Sequence, residues 1–106
     1  MSLYEHQKQV DDWTSSFTPQ YWPPLEQFAR LAEEIGELAR ELSHIHGTKK
    51  KKPEEAIKNL GSELSDIIFT VICLANSHNI NLQQEWDKMM ADKMYSRDAN
   101  RFEKKE

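Results

Sequence analysis

Two segments of this chain carry the same acidic pattern, and their apolar residues have the spacing of a helix. The first, Leu31–Leu38, reads LAEEIGEL, and the second, Leu60–Ile67, reads LGSELSDI. Both reduce to Leu-x-x-Glu-[Ile/Leu]-x-[Glu/Asp]-[Leu/Ile], in which apolar residues recur every three or four positions. That period is typical of one face of an α-helix rather than of a strand. The pattern therefore predicts two amphipathic helices that share one arrangement of carboxylates.

Each predicted helix places two carboxylates beside its apolar stripe. With about 100° per residue, Glu34 and Glu37 fall at one edge of the stripe that begins at Leu31. Glu63 and Asp66 occupy the same positions in the second helix. If the two stripes pack together, four carboxylates converge and repel one another unless a cation binds between them. All-oxygen ligands favour a hard ion, so the pattern predicts a site for Mg²⁺ or Mn²⁺.

The whole chain has the size and composition of one soluble domain. Its 106 residues are enough for one core, so we expect a single domain over residues 1–106. A formal net charge of −4 argues against binding a nucleic-acid polymer through its phosphate backbone. Cys73 is the only cysteine, the polar N-terminus lacks a signal-peptide core, and no apolar run approaches the roughly 20 residues that span a bilayer. We therefore expect a cytoplasmic protein without a membrane partner.

Helix-start and helix-stop residues divide the chain into about four helices. Capping residues, prolines and one terminal glycine mark the boundaries, and no strand-like alternation competes with them. The expected helices span residues 2–17, residues 24–46, a stretch from 53 onward and a stretch from 82 onward, with a solvated basic connector, 48–52, before the third. The predicted fold class is all-α, a bundle of about four helices.

The third predicted helix is apolar nearly all round. Leu64, Ile67 and Ile68 lie on one side of it, whereas Phe69 and Ile72 lie on another. A helix of this kind is buried on several faces. In so small a domain, we expect part of that surface to meet a partner subunit, which predicts a homo-oligomer, either a dimer or a tetramer.

The acidic residues also resemble a family signature. They match the EExxE…ExxD pattern of the all-α nucleoside triphosphate pyrophosphohydrolases, a group that includes MazG, the dimeric dUTPases and the dCTP pyrophosphatases. The matching residues are Glu33, Glu34, Glu37, Glu63 and Asp66. The segment Lys93–Phe102, KMYSRDANRF, is similar to the family's K-x-x-x-R-D-x-x-R-[YF] ending. The chain looks most like the short, single-domain MazG-like branch, over residues 24–102.

That resemblance implies hydrolysis of a nucleoside triphosphate between its α and β phosphates, which yields a monophosphate and pyrophosphate. It implies Mg²⁺, or Mn²⁺ in its place, bound by four acids: Glu34, Glu37, Glu63 and Asp66. Glu33 is the candidate to orient or deprotonate the attacking water. A triphosphate approaches so acidic a site only through bridging cations, so the implied chemistry agrees with the predicted metal site. The implied role is house-cleaning, the removal of unwanted or damaged nucleotides.

Two further groups of residues are candidates for contact with the substrate. Lys93, Arg97 and Arg101 recur every four residues, hence on one helix face, where they could clamp phosphate oxygens. Relatives hold the base with aromatic residues from the N-terminal helix and its loop, and Trp13 is the best match. Trp22 is the alternative, because this chain has an extra stretch before the acidic helix. The base and the sugar stay unidentified at this stage.

Two other functions fit parts of the sequence. A non-catalytic helical interaction or regulatory module would carry vestigial acids, and it would show no turnover and weak metal binding. A carboxylate-bridged di-iron bundle needs Glu-x-x-His on two helices. The segment from Glu41 to His44 supplies one such motif, but Glu63-x-x-Asp66 lacks the histidine. The complete set of four carboxylates favours the enzyme.

Overall fold

The computed structural model describes residues 1–47 and 53–105, with side chains from residue 58 onward in the second range. Within these ranges, the chain forms four α-helices and one π-helix and contains no strand. The helices are α1 (Leu3–Thr14), α2 (Pro24–His46), α3 (Pro53–Ser77) and α4 (Leu82–Met89), and a π-helical segment (Met90–Arg97) continues α4. The predicted all-α fold of about four helices is confirmed. The predicted basic connector, 48–52, lies outside the described residues.

The first helix begins where the sequence predicts and ends three residues earlier. Ser2 and Glu5 form a reciprocal capping box, with bonds of 3.0 and 3.1 Å between each side chain and the other residue's backbone N–H. At the other end, the hydroxyls of Thr14, Ser15 and Ser16 donate to carbonyls of the preceding turn. Such bonds compete with continuation of the helix, which explains why the predicted end at residue 17 is wrong.

The second helix has the predicted bounds because its ends carry a proline and a glycine. Pro24 stands in the first turn, where a backbone N–H has no helical partner. At the other end, the Gly47 N–H donates to the carbonyl of Ser43 over 2.7 Å. A Cβ at residue 47 would lie 2.4 Å from that carbonyl oxygen. The end of α2 therefore requires glycine for space, at an ordinary φ of −90°.

The helices α2 and α3 form the main pair, while α1 packs across α3 and also contacts α4. The buried side chains of α2 are Gln27, Glu34 and Glu41, which lie seven residues apart. A seven-residue repeat marks the seam along which two helices pack. One of the predicted metal ligands, Glu34, thus lies on the seam itself and is more deeply buried than its expected place beside the apolar stripe.

The central helix α3 also has the length and apolarity of a membrane-spanning helix. Its stretch Lys58–Ser77 covers 20 residues with a mean hydropathy of 1.2, which is longer than the apolar runs expected from the sequence. A core helix of a soluble protein meets the same criteria of length and composition. Only 22% of this stretch is buried within the chain. Because α1 and α2 both pack on α3, we interpret the stretch as the central helix of the domain.

The fourth helix starts as predicted but changes its winding. The side chain of Asn81 accepts a bond of 3.1 Å from the N–H of Gln84 and so caps α4. Beyond Met89, the chain winds as a π-helix, in which hydrogen bonds span five residues instead of four. This change of winding falls on the segment that carries the predicted phosphate ligands.

Candidate active site

Three carboxylates from two helices meet at the α2–α3 seam. One oxygen from each of Glu34, Glu63 and Asp66 lies within 4.8 Å of the other two. Helix α2 supplies Glu34, which is only 5% exposed, and α3 supplies the half-buried Glu63 and the exposed Asp66. The carboxylate cluster therefore has a buried side and a side open to solvent. Three carboxylate oxygens at this spacing are a set that could hold a hard divalent cation.

Glu63 shows the electrostatic cost of this cluster. The neighbouring Glu34 is the largest cause of a rise in the pKa of Glu63 from 4.5 to about 6, followed by desolvation and the charges of Asp66 and Glu37. The Oε2 atom of Glu63 is buried and has no hydrogen-bond partner among the described residues. A buried carboxylate oxygen without a partner is unfavourable. A bound cation would satisfy that oxygen and reduce the repulsion, so the residues fit a divalent metal.

The other two acids of the signature, Glu37 and Glu33, lie outside the carboxylate cluster. The charge of Glu37 raises the pKa of Glu63, yet its own carboxylate is ion-paired with Arg40. Glu37 is 42% exposed, so a change of rotamer would let it leave that pair. Glu33 is exposed on α2 and contributes neither to the cluster nor to the lining of the adjacent cavity. The structure thus brings together three of the four predicted metal ligands and leaves the fourth beside them.

An aromatic cavity of about 500 Å³ opens next to the carboxylates. Trp13 and Phe17 of the N-terminal region and Phe69 of α3 line it. The Trp13 ring meets the other two edge-on, with ring centroids 4.8 Å from Phe17 and 6.1 Å from Phe69. Glu34 and Asp66 line the same cavity. A single cavity thus joins the candidate base-binding tryptophan to two of the candidate metal ligands.

Hydrogen bonds hold the loop between α1 and α2 as one wall of this cavity. The Tyr21 hydroxyl donates to Asp11 Oδ1 over 2.6 Å and accepts from Asn76 Nδ2 over 3.0 Å. The buried Gln27 donates through Nε2 to the carbonyl of Trp22. These bonds tie the loop to α1, α2 and α3. They also place Trp22, the alternative base-binding candidate, in the lining of the same cavity.

The predicted phosphate ligands lie apart from the cavity. Arg97 and Arg101 both pair with Asp98 Oδ1 at 3.1 Å. Together they lower the pKa of the Asp98 carboxyl, with Arg97 as the larger cause. Lys93 is exposed, and in the part of the chain that the structure describes none of the three basic residues lines the aromatic cavity. The structure therefore does not place them in the cavity that Glu34 and Asp66 of their own chain line.

Arg30 is a site residue that sequence reasoning missed. Its Nε lies 2.8 Å from Glu34 Oε1, and the residue lines the cavity. An arginine one turn before a glutamate is typical of an ordinary pair on a helix surface, so the pattern alone gave no reason to select it. Thr70 and Cys73 also line the cavity. Thr70 and Cys73 follow Asp66 by four and seven residues, so they lie on the same face of α3. That spacing was the sequence signal that could have predicted their place in the site.

Comparisons with known proteins identify the family of the chain. A family model for the MazG nucleotide pyrophosphohydrolase domain matches residues 23–102. The uncharacterized protein YpjD of Bacillus subtilis strain 168 is 43% identical over 105 residues, which cover 99% of this chain and 94% of that protein. A crystal structure of YpjD from Bacillus subtilis superposes with a TM-score of 0.79 at 40% identity, over 88% of this chain and 95% of the other.

A second crystal structure is that of the Bacillus-conserved MazG protein, a nucleotide pyrophosphohydrolase. It superposes with a TM-score of 0.74 at 37% identity, over 86% of this chain and 87% of the other. The matched family domain contains all of α2, α3 and α4, and hence Glu34, Glu63 and Asp66. By family model and by fold, the chain belongs to the MazG nucleotide pyrophosphohydrolase family and is a hydrolase of phosphoric anhydrides in nucleotides.

Proposed function

We propose that this protein is a Mg²⁺-dependent nucleoside triphosphate pyrophosphohydrolase that cleaves between the α and β phosphates, giving a monophosphate and pyrophosphate. The observation that carries the proposal is the aromatic cavity that runs up to the carboxylate cluster. A flat apolar group and a cation-bridged polyphosphate are the two halves of a nucleotide. The aromatic residues of the cavity suit the base, and the carboxylates suit the cation that bridges to the polyphosphate.

Glu34, Glu63 and Asp66 would hold the cation, and Glu37 is placed to join them once it leaves Arg40. Mg²⁺, or Mn²⁺ in its place, neutralises phosphate charge and acidifies a bound water when present. The two helices hold their acids at one place before any ligand arrives, which limits the reorganisation that binding requires. We propose Glu33 as the residue that orients or deprotonates the attacking water.

We propose that Trp13 stacks on the nucleobase, with Phe17 and Phe69 beside it. Replacement of Trp13 by alanine should raise KM at least about fivefold, because stacking of a base on an aromatic ring is worth about 1–3 kcal/mol. The turnover number should change much less. Steady-state kinetics will check this result, with Tyr4→Ala as the control on the same helix, since Tyr4 does not line the aromatic cavity. An unchanged KM would contradict the assignment of Trp13.

The basic residues of the C-terminal segment are proposed phosphate ligands that act from a neighbouring subunit or after a rearrangement. Lys93, Arg97 and Arg101 carry the positive charge that a triphosphate requires, and all three are exposed. Asp98 holds the two arginines together. We propose this second role because none of the three lines the aromatic cavity of their own chain in the part that the structure describes.

We propose that the protein is a homo-oligomer. Leu64, Ile68 and Val71 of α3 are 45%, 56% and 38% exposed. The radius of gyration is 17.2 Å, whereas a compact domain of this length has about 13 Å. Sedimentation equilibrium should give a mass of two or four chains at micromolar concentration. Replacement of Ile68 by glutamate should shift the mass toward one chain, and a monomeric wild type would contradict the proposal.

The proposed cellular role is house-cleaning of non-canonical or excess nucleotides in the cytoplasm by one domain, residues 1–106. The test is product analysis on a panel of canonical and modified nucleoside triphosphates, with and without Mg²⁺. Metal-dependent release of monophosphate and pyrophosphate would support the proposal. Release of orthophosphate and diphosphate would contradict the cleavage site. A folded, metal-loaded protein that turns over no nucleotide would favour a non-catalytic interaction module instead.

A further inference from the structure

Arg30 lies at the junction of the two halves of the site. It belongs to the lining of the aromatic cavity, and its Nε is 2.8 Å from Glu34 Oε1 in the carboxylate cluster. Its side chain is 50% exposed, whereas that of Glu34 is 7% exposed. The positively charged guanidinium thus contacts the most buried acid of the carboxylate cluster.

A divalent ion can replace the Arg30 guanidinium as the partner of the Glu34 carboxylate. An arginine that precedes its acid by four residues has the less favourable orientation in the field of the helix. The Arg30 side chain is also half exposed, so solvent screens its side of the pair. The shortest contact of the pair is made by Nε, not by the Nη groups at the end of the guanidinium. A divalent ion that binds Glu34 would compete with the guanidinium for the same carboxylate oxygen. The guanidinium would then be left without its partner on the wall of the cavity.

We propose that Arg30 has two successive partners: the Glu34 carboxylate in the metal-free protein and the polyphosphate of the nucleotide once the metal has bound. The guanidinium neutralises part of the carboxylate cluster before the cation arrives. After the exchange, its planar fork matches the oxygens of a phosphate, to which charge-assisted bonds are strong. Arg30 is thus a phosphate-binding residue from the chain that supplies the metal ligands. This inference rests on the proposed function.

The two roles predict opposite effects of one substitution. In Arg30→Gln, Mn²⁺ should bind about threefold tighter or more, because a neighbouring positive charge and a competitor for Glu34 are both removed. In the same variant with saturating Mn²⁺, a nucleoside triphosphate with a non-hydrolysable α–β methylene bridge should bind about tenfold more weakly. Arg30→Lys, which keeps the charge but not the fork, should lose part of the nucleotide affinity only.

Calorimetric titration of Mn²⁺ alone, and then of the analogue, measures both affinities without turnover. Lys88→Gln, on the exposed surface of α4, is the control for loss of one positive charge, and circular dichroism confirms that each variant is folded. Weaker Mn²⁺ binding in Arg30→Gln would overturn the proposal, since Arg30 would then support Glu34 as a ligand. Unchanged analogue affinity would also overturn it. If the wild type with Mn²⁺ binds no analogue, the proposed function itself fails, which differs from a failure confined to Arg30.

Discussion

Replacement of Glu63 by glutamine should abolish hydrolysis while it stabilises the metal-free protein. Among the described residues, the buried Oε2 of Glu63 has no hydrogen-bond partner. One carboxylate oxygen of Glu63 also lies within 4.8 Å of oxygens of Glu34 and Asp66. Removal of its charge relieves repulsion in the metal-free state, so the midpoint of thermal unfolding should rise. The same change removes a direct metal ligand. Activity should fall at least about 100-fold, because loss of residues that merely support metal ligands already costs about 10–100-fold.

Thermal unfolding in the presence of a chelator and steady-state kinetics with Mg²⁺ measure the two effects. Glu26→Gln is a suitable control, since Glu26 is an exposed acid of α2 outside the carboxylate cluster. Asp66→Asn should behave as Glu63→Gln does. Glu37→Gln should also remove activity if the Glu37 carboxylate coordinates the cation during turnover. Full activity in Glu63→Gln would contradict the assignment of the metal site.

The second large effect is a pH dependence set by Glu63. Its pKa is raised in the folded chain from 4.5 to about 6, so between these values the native state holds a proton that the unfolded state releases. Stability of the metal-free protein from this group is therefore greatest below pH 4.5 and is lost as the pH rises through 6. Metal binding needs the deprotonated carboxylate. The rise in melting temperature caused by Mg²⁺ should consequently be small at pH 5 and large at pH 7.5.

The comparison with Glu63→Gln isolates this group from other titrating residues. The difference in melting temperature between the wild type and the variant, measured with a chelator, should widen in favour of the variant from pH 4.5 to 6.5. Titrations of Mn²⁺ in buffers of different ionisation enthalpy should show release of a proton at pH 5.5 in the wild type only. A Mg²⁺-induced shift of the same size at pH 5 and pH 7.5 would contradict the role of Glu63.

Local signals in the sequence predicted the helices well. The Ser2 capping box, the glycine after His46 and the Asn81 cap all act through neighbours in the chain, so their effect can be read without tertiary structure. The end of α1 could not be predicted in this way. The hydroxyls of Ser15 and Ser16 donate to backbone carbonyls of the preceding turn, and these bonds compete with continuation of the helix. The π-helical winding after Met89 had no sequence signal that we recognise.

The site was predictable as far as its repeated pattern extends. The spacing within each helix predicted that Glu34, Glu63 and Asp66 come close together. They do so because the apolar faces that they border pack against each other. The depth of Glu34, the Arg40 partner of Glu37 and the position of Arg30 depend on rotamers and on the α2–α3 seam, which no single segment encodes. The aromatic cavity depends on a loop whose hydrogen bonds join distant residues, and spacing along the chain does not reveal such bonds.

The proposed site is tested most directly by a crystal structure of the protein with Mn²⁺ and a non-hydrolysable α–β methylene nucleoside triphosphate. We expect an anomalous peak for manganese at about 2.1–2.3 Å from oxygens of Glu34, Glu63 and Asp66. We also expect the base against Trp13 in the aromatic cavity and the triphosphate extending to the metal. Manganese bound elsewhere, or a nucleotide outside this cavity while the carboxylate cluster stays without metal, would show that the site is wrongly assigned.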